Sequence, residues 1–258
     1  MKGLKYIGVT LAALAFFVTP EAGVTQAPDP DFLLSHPDWT LTVRGGGFLP
    51  RADSELFEFV RERFTVRRTD FQAPEAAIEL SLPITPKLVL AAELGANSTT
   101  VDSEERDWVE ETPQGTFAPV TQSTRIRVIP SLSAGLKIYP WDTGEAVGRF
   151  AWIPSLAAPY VEMGTGGLWW RLDQWGDFVV TQGDEADSII TAEFATGGAA
   201  LLAYAGGGMD LSLTPSMVLN VDTRYRWATG DLSGEFMDFR DGLDLSGLRV
   251  ALGIALRR

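Results

Sequence analysis

The sequence lacks cysteine altogether and has a single histidine, His36, in 258 residues. Without cysteine there are no disulfide bonds and no thiolate metal sites. One histidine also leaves little basis for general acid–base catalysis, for which histidine is the usual side chain. His36 falls in the proline-rich segment 28–37, where we expect a solvated linker. We therefore predict no catalytic residue, no metal site and no cofactor.

Basic residues are also few: 21 Lys and Arg stand against 34 Asp and Glu, for a net charge of −13. This balance excludes a nucleic-acid partner, because phosphate contacts require clustered basic side chains. Beyond the N-terminal region, the chain has no apolar run of the roughly 20 residues that a membrane-spanning helix needs. A membrane crossing by this chain would have to use strands.

The N-terminus has the features of a secretory signal peptide. Lys2 and Lys5 form a basic region, and residues 7–18 form an apolar stretch of the expected length. Cleavage after Ala22 and cleavage after Ala27 both fit the small residues nearby. We predict a signal peptide at 1–27, a periplasmic segment at 28–38 and one folded domain at 39–258.

From Trp39 onward, apolar and polar residues alternate with a period of two, as in strands that have one apolar face. The clearest segments are 123–139, 217–227 and 247–256, and weaker ones lie at 39–44, 76–82, 88–95, 160–171 and 197–213. In the first segment, the predicted lipid face holds Ile126, Val128, Leu132, Ala134, Leu136 and Ile138. The opposite face holds Arg125, Arg127, Ser131, Ser133, Gly135 and Lys137.

The connections between these segments differ in length. Short or intermediate turns are predicted at 84–87, 140–154 and 214–216, and long loops at 50–72, 96–122, 172–194 and 229–245. The pattern predicts an all-β fold, an eight-stranded antiparallel up-and-down transmembrane β-barrel with short periplasmic turns and long extracellular loops. A soluble sandwich does not require long loops at one end, and a lipocalin-like barrel would place its apolar faces inside.

Aromatic residues are predicted to form two girdles at the membrane interfaces. The predicted members are Trp39, Tyr139, Trp141 and Tyr160 at the turn end, and Trp169, Tyr225 and Trp227 toward the loop end.

Charged residues on the polar faces cannot lie in hydrocarbon and are predicted to line the lumen. They are Arg44, Glu79, Glu93, Arg127, Lys137, Glu162, Asp210, Asp222, Arg224 and Arg249. Closing the last strand onto the first is expected to bring Arg249 beside Arg44, with Glu79 and Asp222 on the outer neighbours. Opposite charges must pair there, because an unpaired buried charge is costly. Two interpretations stay open: a plug of ion pairs that fills a narrow barrel, and a gated or selective pore.

Three regions carry a family resemblance: 159–167 (PYVEMGTGG), 206–214 (GGGMDLSLT) with 221–226 (VDTRYR), and 248–256 (LRVALGIAL). They resemble strands of the outer-membrane β-barrel family that includes the small eight-stranded barrels of the OmpA and OmpW type. The resemblance covers nearly everything after residue 39 and implies a location in the outer membrane. It implies outer-membrane lipids, lipopolysaccharide and the barrel-insertion machinery as partners. Such barrels usually end on an aromatic residue that this machinery recognises, whereas this sequence ends Leu256-Arg257-Arg258.

The long loops give two further predictions. Three of them are rich in Asp and Glu, which form either a solvated crown or a divalent-cation bridge to lipopolysaccharide phosphates. The first loop instead has Leu56, Phe57, Val60 and Phe64 at helical spacing. Residues 53–64 are therefore predicted to form a short amphipathic helix against the barrel rim.

The function that the sequence favours is a structural or surface-interaction role, with the lumen plugged by ion pairs and a surface or periplasmic protein as partner. The alternative is a passive channel or conduit for small molecules, hydrophobic ones included. A hydrophobic conduit needs an apolar patch in the lumen, where Leu168 and Leu202 are the main apolar residues predicted.

Overall fold

The computed structural model describes residues 31–111, 115, 117–180 and 188–258. The predicted signal peptide at 1–27 lies outside these residues. Within the described part of the chain, no helix is both long enough and apolar enough to cross a membrane.

The described residues form strands with a few short helical segments. In chain order these are β1 (Thr40–Pro50), α1 (Glu55–Arg63), a 3-10 helix (Arg68–Phe71), β2 (Ala73–Thr85), β3 (Leu88–Glu111), β4 (Phe117–Ile138), β5 (Gly144–Val147), β6 (Ala151–Pro154), β7 (Ala157–Val180), β8 (Ser188–Ser212), β9 (Met217–Gly230), a second 3-10 helix (Gly234–Phe236), β10 (Leu243–Asp244) and β11 (Gly247–Arg257). Eight strands pair antiparallel around a closed ring in the order β1-β2-β3-β4-β7-β8-β9-β11, and β11 returns to β1. The predicted eight-stranded antiparallel barrel is confirmed.

The closing strand β11 shows how the sequence builds the wall. Its burial alternates residue by residue, so that Arg249 and Ala251 face inward and their neighbours face outward. The outward side chains are Leu248, Val250, Leu252, Ile254 and Leu256, each 37–58% exposed. A continuous outer band of this kind is stable only against hydrocarbon, and a closed ring leaves no unpaired edge there. The barrel therefore spans a membrane.

Half of the barrel wall is much taller than the other half. Strands β3, β4, β7 and β8 have 22–25 residues, whereas β1, β2, β9 and β11 have 11–14. The loops predicted at 96–122 and 172–194 are mostly strand, and that prediction is wrong. β-Branched residues such as Thr99, Thr100 and Val101 favour strand, and above the membrane both sheet faces accept polar residues.

A bulge in β4 inverts the alternation of that strand. Two residues, Ile129 and Pro130, lie opposite a single residue of each neighbouring strand. Below the bulge Lys137 faces inward, whereas above it Val128 is buried and Arg127 faces outward. The prediction that Ile126 and Val128 face lipid while Arg125 and Arg127 face the lumen is therefore wrong. Proline cannot donate a ladder hydrogen bond, which favours an irregularity at that position.

The end of the barrel that carries the short turns is covered by the segment predicted as an intermediate turn. Strands β5 and β6 form a small hairpin there, and its Trp152 is buried. Leu33 pairs with Trp152 through backbone hydrogen bonds of 2.8 and 2.9 Å. His36 packs edge-on against the indole at 5.3 Å, and the Arg257 guanidinium lies 5.2 Å from the indole ring centre. His36 is thus part of a packed contact, and its prediction as a solvated linker residue is wrong.

Single-cysteine variants test the bulge, because the chain has no cysteine of its own. We expect Arg127→Cys to react with a water-soluble maleimide and Leu252→Cys to react with a lipid-soluble one, since both positions face outward. Val128→Cys and Ala251→Cys face inward and should be protected in the folded protein. Labelling of Val128→Cys together with protection of Arg127→Cys would show that β4 keeps one alternation throughout.

Candidate functional site

The barrel interior contains a network of buried charged side chains, and Glu79 of β2 lies near its centre. Glu79 is 1% exposed. Arg44 donates two hydrogen bonds to it, from Nη1 at 2.7 Å and from Nη2 at 3.0 Å. Lys137 and the Ser81 hydroxyl both donate to its Oε1. Lys137 comes from β4, two strands away, so this carboxylate joins residues from across the barrel.

Glu93 of β3 is the second shared acceptor. It accepts from Arg44 Nη1 at 2.8 Å, from Arg249 Nη1 at 2.7 Å and from Arg224 Nη1 at 3.1 Å. These arginines come from β1, β11 and β9, so the bonds cross the lumen. An arginine has several N–H donors in a fixed fork, which lets one side chain bind two carboxylates at once.

Asp222 of β9 extends the network toward the closing strand. It accepts from Arg249 Nε at 3.1 Å and from the Tyr160 hydroxyl at 3.1 Å. Arg249 Nη2 also donates to it. Arg224 of β9 links the network to β7, since its Nη2 donates to Glu162 at 3.3 Å. The chain of contacts from Arg44 through Glu93 and Arg249 to Asp222 is therefore continuous.

The charges inside the barrel nearly balance. Carboxylates come from Glu75, Glu79, Glu93, Glu162, Asp210 and Asp222, and cations from Arg44, Lys137, Arg224, Arg226 and Arg249. Burying any one of these charges alone would be costly, whereas removing one partner of a buried pair leaves the other uncompensated. The network is consequently a structural unit whose members depend on one another.

All of the predicted lumen residues except Arg127 face the interior in the structure. Arg127 lies above the bulge and pairs with Asp173 on the outer surface at 2.6 Å. Arg249 does not lie beside Arg44, as expected from closure, but pairs with Phe48, four residues further along β1. The two arginines are joined instead through Glu93.

Two predicted girdle residues, Tyr139 and Tyr160, lie inside the barrel. Tyr139 donates to Asp210 at 2.7 Å, and Tyr160 donates to Asp222. Their placement in the girdle is wrong because each lies two residues from an inward charge, Lys137 or Glu162, and residues two apart share a strand face. The spacing of each tyrosine from its neighbouring charge therefore indicates from the sequence alone that the ring faces inward. Four of the remaining predicted members are on the outer side: Trp39, Trp169, Tyr225 and Trp227. Trp141 is exposed in the connection between β4 and β5.

The predicted ion-pair network omits three polar residues that contribute to it, although the alternation places Asn220 and Arg226 on the polar face of their strand. Asn220 accepts from Arg44 Nε at 2.7 Å and donates to Asp210 at 2.7 Å and to Tyr160 at 3.0 Å. Glu75 accepts from Arg249 at 3.3 Å. Arg226 donates to a backbone carbonyl of the last loop, and its guanidinium lies 4.2 Å from the centre of the Phe48 ring.

The upper part of the interior holds an apolar cluster beneath α1, together with a smaller buried polar group of Gln122, Thr124 and Gln174. The helix begins after Ser54. Its first turn holds the acidic Glu55 and Glu58 and its last turn the basic Arg61 and Arg63. These charges are opposite in sign to the ends of the helix dipole and stabilise the helix. Its apolar face forms one buried cluster with the inward-facing residues of the wall. This cluster includes Leu56, Phe57, Val60, Val128, Leu168, Trp170, Leu202 and Tyr204. The helix predicted at 53–64 exists, but it packs over the lumen and does not lie against the rim.

The cavities that remain inside this arrangement are small. One of about 20 Å³ lies next to Glu93 and Arg249, and one of about 70 Å³ lies at the periplasmic end beside Lys137 and Trp152. A single water needs about 10–15 Å³ of such volume. The first cavity can therefore hold about one water and the second a few.

Comparison with known proteins gives matches in structure alone. No protein-family model matches the sequence. No curated protein matches it either. Similar solved structures include the outer membrane protein OprG of Pseudomonas aeruginosa, with 13% identity over 88% of this chain and 99% of that chain and a TM-score of 0.44. A major outer membrane protein of Thermus thermophilus has 12% identity over 85% of this chain and 99% of that chain, also with a TM-score of 0.44. Neisserial surface protein A has 11% identity over 85% of this chain and 96% of that chain, with a TM-score of 0.39.

The class of protein follows from the chain's own geometry. A closed antiparallel ring of eight strands with an outward apolar band and a charged interior is a transmembrane β-barrel of the outer-membrane type. The protein is a small outer-membrane β-barrel located in the cell outer membrane.

Replacing Glu79 with Gln should destabilise the barrel strongly. The change keeps the side-chain shape but leaves Arg44 and Lys137 without their shared counter-charge, at a cost of about 3–5 kcal/mol. We expect a lower urea midpoint and a lower temperature for the loss of heat-modifiable migration in detergent. Glu235→Gln, at an exposed position of the second 3-10 helix, is the matched control and should behave as wild type. Equal stability of the two variants would show that Glu79 is not held in a buried network.

Proposed function

We propose that this protein is a non-conducting outer-membrane barrel with a structural or surface-interaction role. The observation that supports this most directly is the filling of the interior, with ion pairs in the lower half and an apolar helix cap above. An eight-stranded barrel is wide enough only for side chains to fill it. A barrel plugged at both levels serves as a rigid membrane anchor for the part of the chain that extends beyond the membrane.

Contacts between side chains of opposite barrel walls favour a plug over a selective pore. Pore-lining charges leave the axis open, whereas here side chains meet across it. Arg224 of β9 reaches Glu93 of β3 on the opposite wall, and Arg249 of β11 reaches the same carboxylate. A permeating ion would have to break several of these pairs and leave buried charges uncompensated.

The part presented outside is the tall sheet formed by the upper halves of β3, β4, β7 and β8. It extends past the apolar band and carries exposed apolar side chains near its free end. Val109 and Phe117 are 58% and 70% exposed, and Trp108 and Ile190 are also exposed. Exposed apolar groups in water are typical of a contact surface for a protein partner. A rigid sheet that carries such a surface suits a surface-interaction role.

The alternative function, a passive conduit for small molecules, has less support. The upper interior is more apolar than the sequence indicated, since Val128, Trp170 and α1 join Leu168 and Leu202 there. However, those side chains form one packed cluster with α1, which argues against a passage there. Below them a hydrophobic molecule would meet the buried charges.

Planar-bilayer recording tests the proposal. We expect the wild-type protein to show no stable conductance steps, because ion pairs and α1 fill the lumen. Glu79→Gln removes a central counter-charge and should allow a small, intermittent current, whereas Glu235→Gln should remain silent. A wild-type protein that conducts steadily, with a current unchanged by Glu79→Gln, would contradict the plug and favour a pore lined by these charges.

A further inference from the structure

A cluster of arginines lies on the outer surface just above the membrane band, in a protein of net charge −13. Arg125 and Arg127 of β4 face outward because the bulge inverts their strand. Arg171 of β7 lies directly opposite Arg127 in the sheet register. It is also two residues beyond Trp169, on the same outer face. The cluster therefore begins at the level of the lipid headgroups.

The positive charge of this cluster is only partly neutralised within the described residues. Asp173 pairs with both Arg127 and Arg171 at 2.6 Å, through Arg127 Nη2 and Arg171 Nε. Among the described residues no other carboxylate forms an ion pair with these two arginines, although the exposed Glu193 of β8 also acts on Arg171 electrostatically. Arg127 Nε is buried without a hydrogen bond. Like charges directly opposite each other in a sheet are unfavourable. A bound anion would offset that cost.

Beside the arginines the outer surface forms a groove of about 810 Å³. Its lining includes Ile129 and Trp169 and the small residues Ala195, Gly197 and Ala199 of β8. Trp170, Thr196, Gly198 and Ser233 complete it. Gly197 is opposite Arg171 in the register, and Ala199 is opposite Trp169. Arg127 and Arg171 also line this groove. A groove lined by both cationic and apolar residues suits an amphiphile with an anionic headgroup.

The position of the groove indicates which amphiphile would bind there. It lies toward the long-strand end of the barrel, which is the extracellular side in outer-membrane barrels. The lipid of that leaflet is lipopolysaccharide, whose lipid A carries phosphates at headgroup level above its acyl chains. Arginine binds phosphate through parallel, charge-assisted hydrogen bonds. We propose that this groove is a lipopolysaccharide site, with a lipid A phosphate bound by Arg127 and Arg171 and an acyl chain lying over Ala195, Gly197 and Ala199.

This site is independent of the state of the lumen and can be tested separately. The purified protein in detergent would be titrated with diphosphoryl lipid A, with dephosphorylated lipid A and with phosphatidylglycerol. The double variant Arg127→Gln/Arg171→Gln should bind diphosphoryl lipid A about tenfold more weakly than wild type, because two charged hydrogen-bond donors are lost. The same variant should bind dephosphorylated lipid A as wild type does.

Two further variants complete the test. Arg149→Gln/Arg258→Gln makes the same charge change at exposed periplasmic positions and should keep wild-type affinity. Ala199→Phe fills the groove while leaving both arginines in place, and it should also weaken lipid A binding. Heat-modifiable migration verifies that each variant is folded.

The outcomes separate clearly. Loss of affinity in the groove variants alone, together with a preference for diphosphoryl lipid A, supports the site. Equal affinity in all variants would overturn it. Phosphatidylglycerol that binds as tightly as diphosphoryl lipid A would overturn the assignment to lipopolysaccharide.

Discussion

The compensation of buried charge inside a narrow barrel is the constraint on which the structure depends. Alternation along each strand sends apolar residues to the lipid and polar ones to the lumen. An eight-stranded ring is so narrow that inward side chains from opposite walls touch. The carboxylates of Glu79 and Glu93 must therefore meet cations there, and they accept hydrogen bonds from Arg44, Lys137, Arg224 and Arg249. Strand pairing closes the ring, and charge pairing fills it.

The bulge at Ile129 and Pro130 connects the lower and upper halves of the protein. By inverting β4, it turns Val128 inward to join the apolar cluster under α1, and it turns Arg127 outward to the headgroup level. The interior thereby changes from polar to apolar at about the height where the outer surface changes from apolar to polar. This one local irregularity adds Val128 to the apolar cluster inside and adds Arg125 and Arg127 to the arginine cluster outside.

The sequence predicts the barrel well because period-two alternation depends on each strand by itself. It also predicts which charges face inward on strands without irregularities, such as Glu79, Asp222 and Arg249. It fails for Arg127 because the bulge at Ile129 and Pro130 inverts the facing of the residues that precede it in β4. One proline in the sequence does not reveal where such an inversion falls. The height of β3, β4, β7 and β8 was missed since, above the membrane, neither sheet face needs to be apolar. Tyr139 and Tyr160 were misplaced when residue type was given more weight than position relative to neighbouring charges.

The most direct measurement of the central claim is a double-mutant cycle on Arg44 and Glu79. The single variants Arg44→Met and Glu79→Met and the double variant would be compared by equilibrium unfolding in detergent. If two hydrogen bonds of 2.7 and 3.0 Å join a fully buried pair, each single change leaves an uncompensated charge and the double change removes both. The account predicts a double variant more stable than the sum of the single losses by about 2 kcal/mol or more. Losses that add to within roughly 0.5 kcal/mol would contradict it.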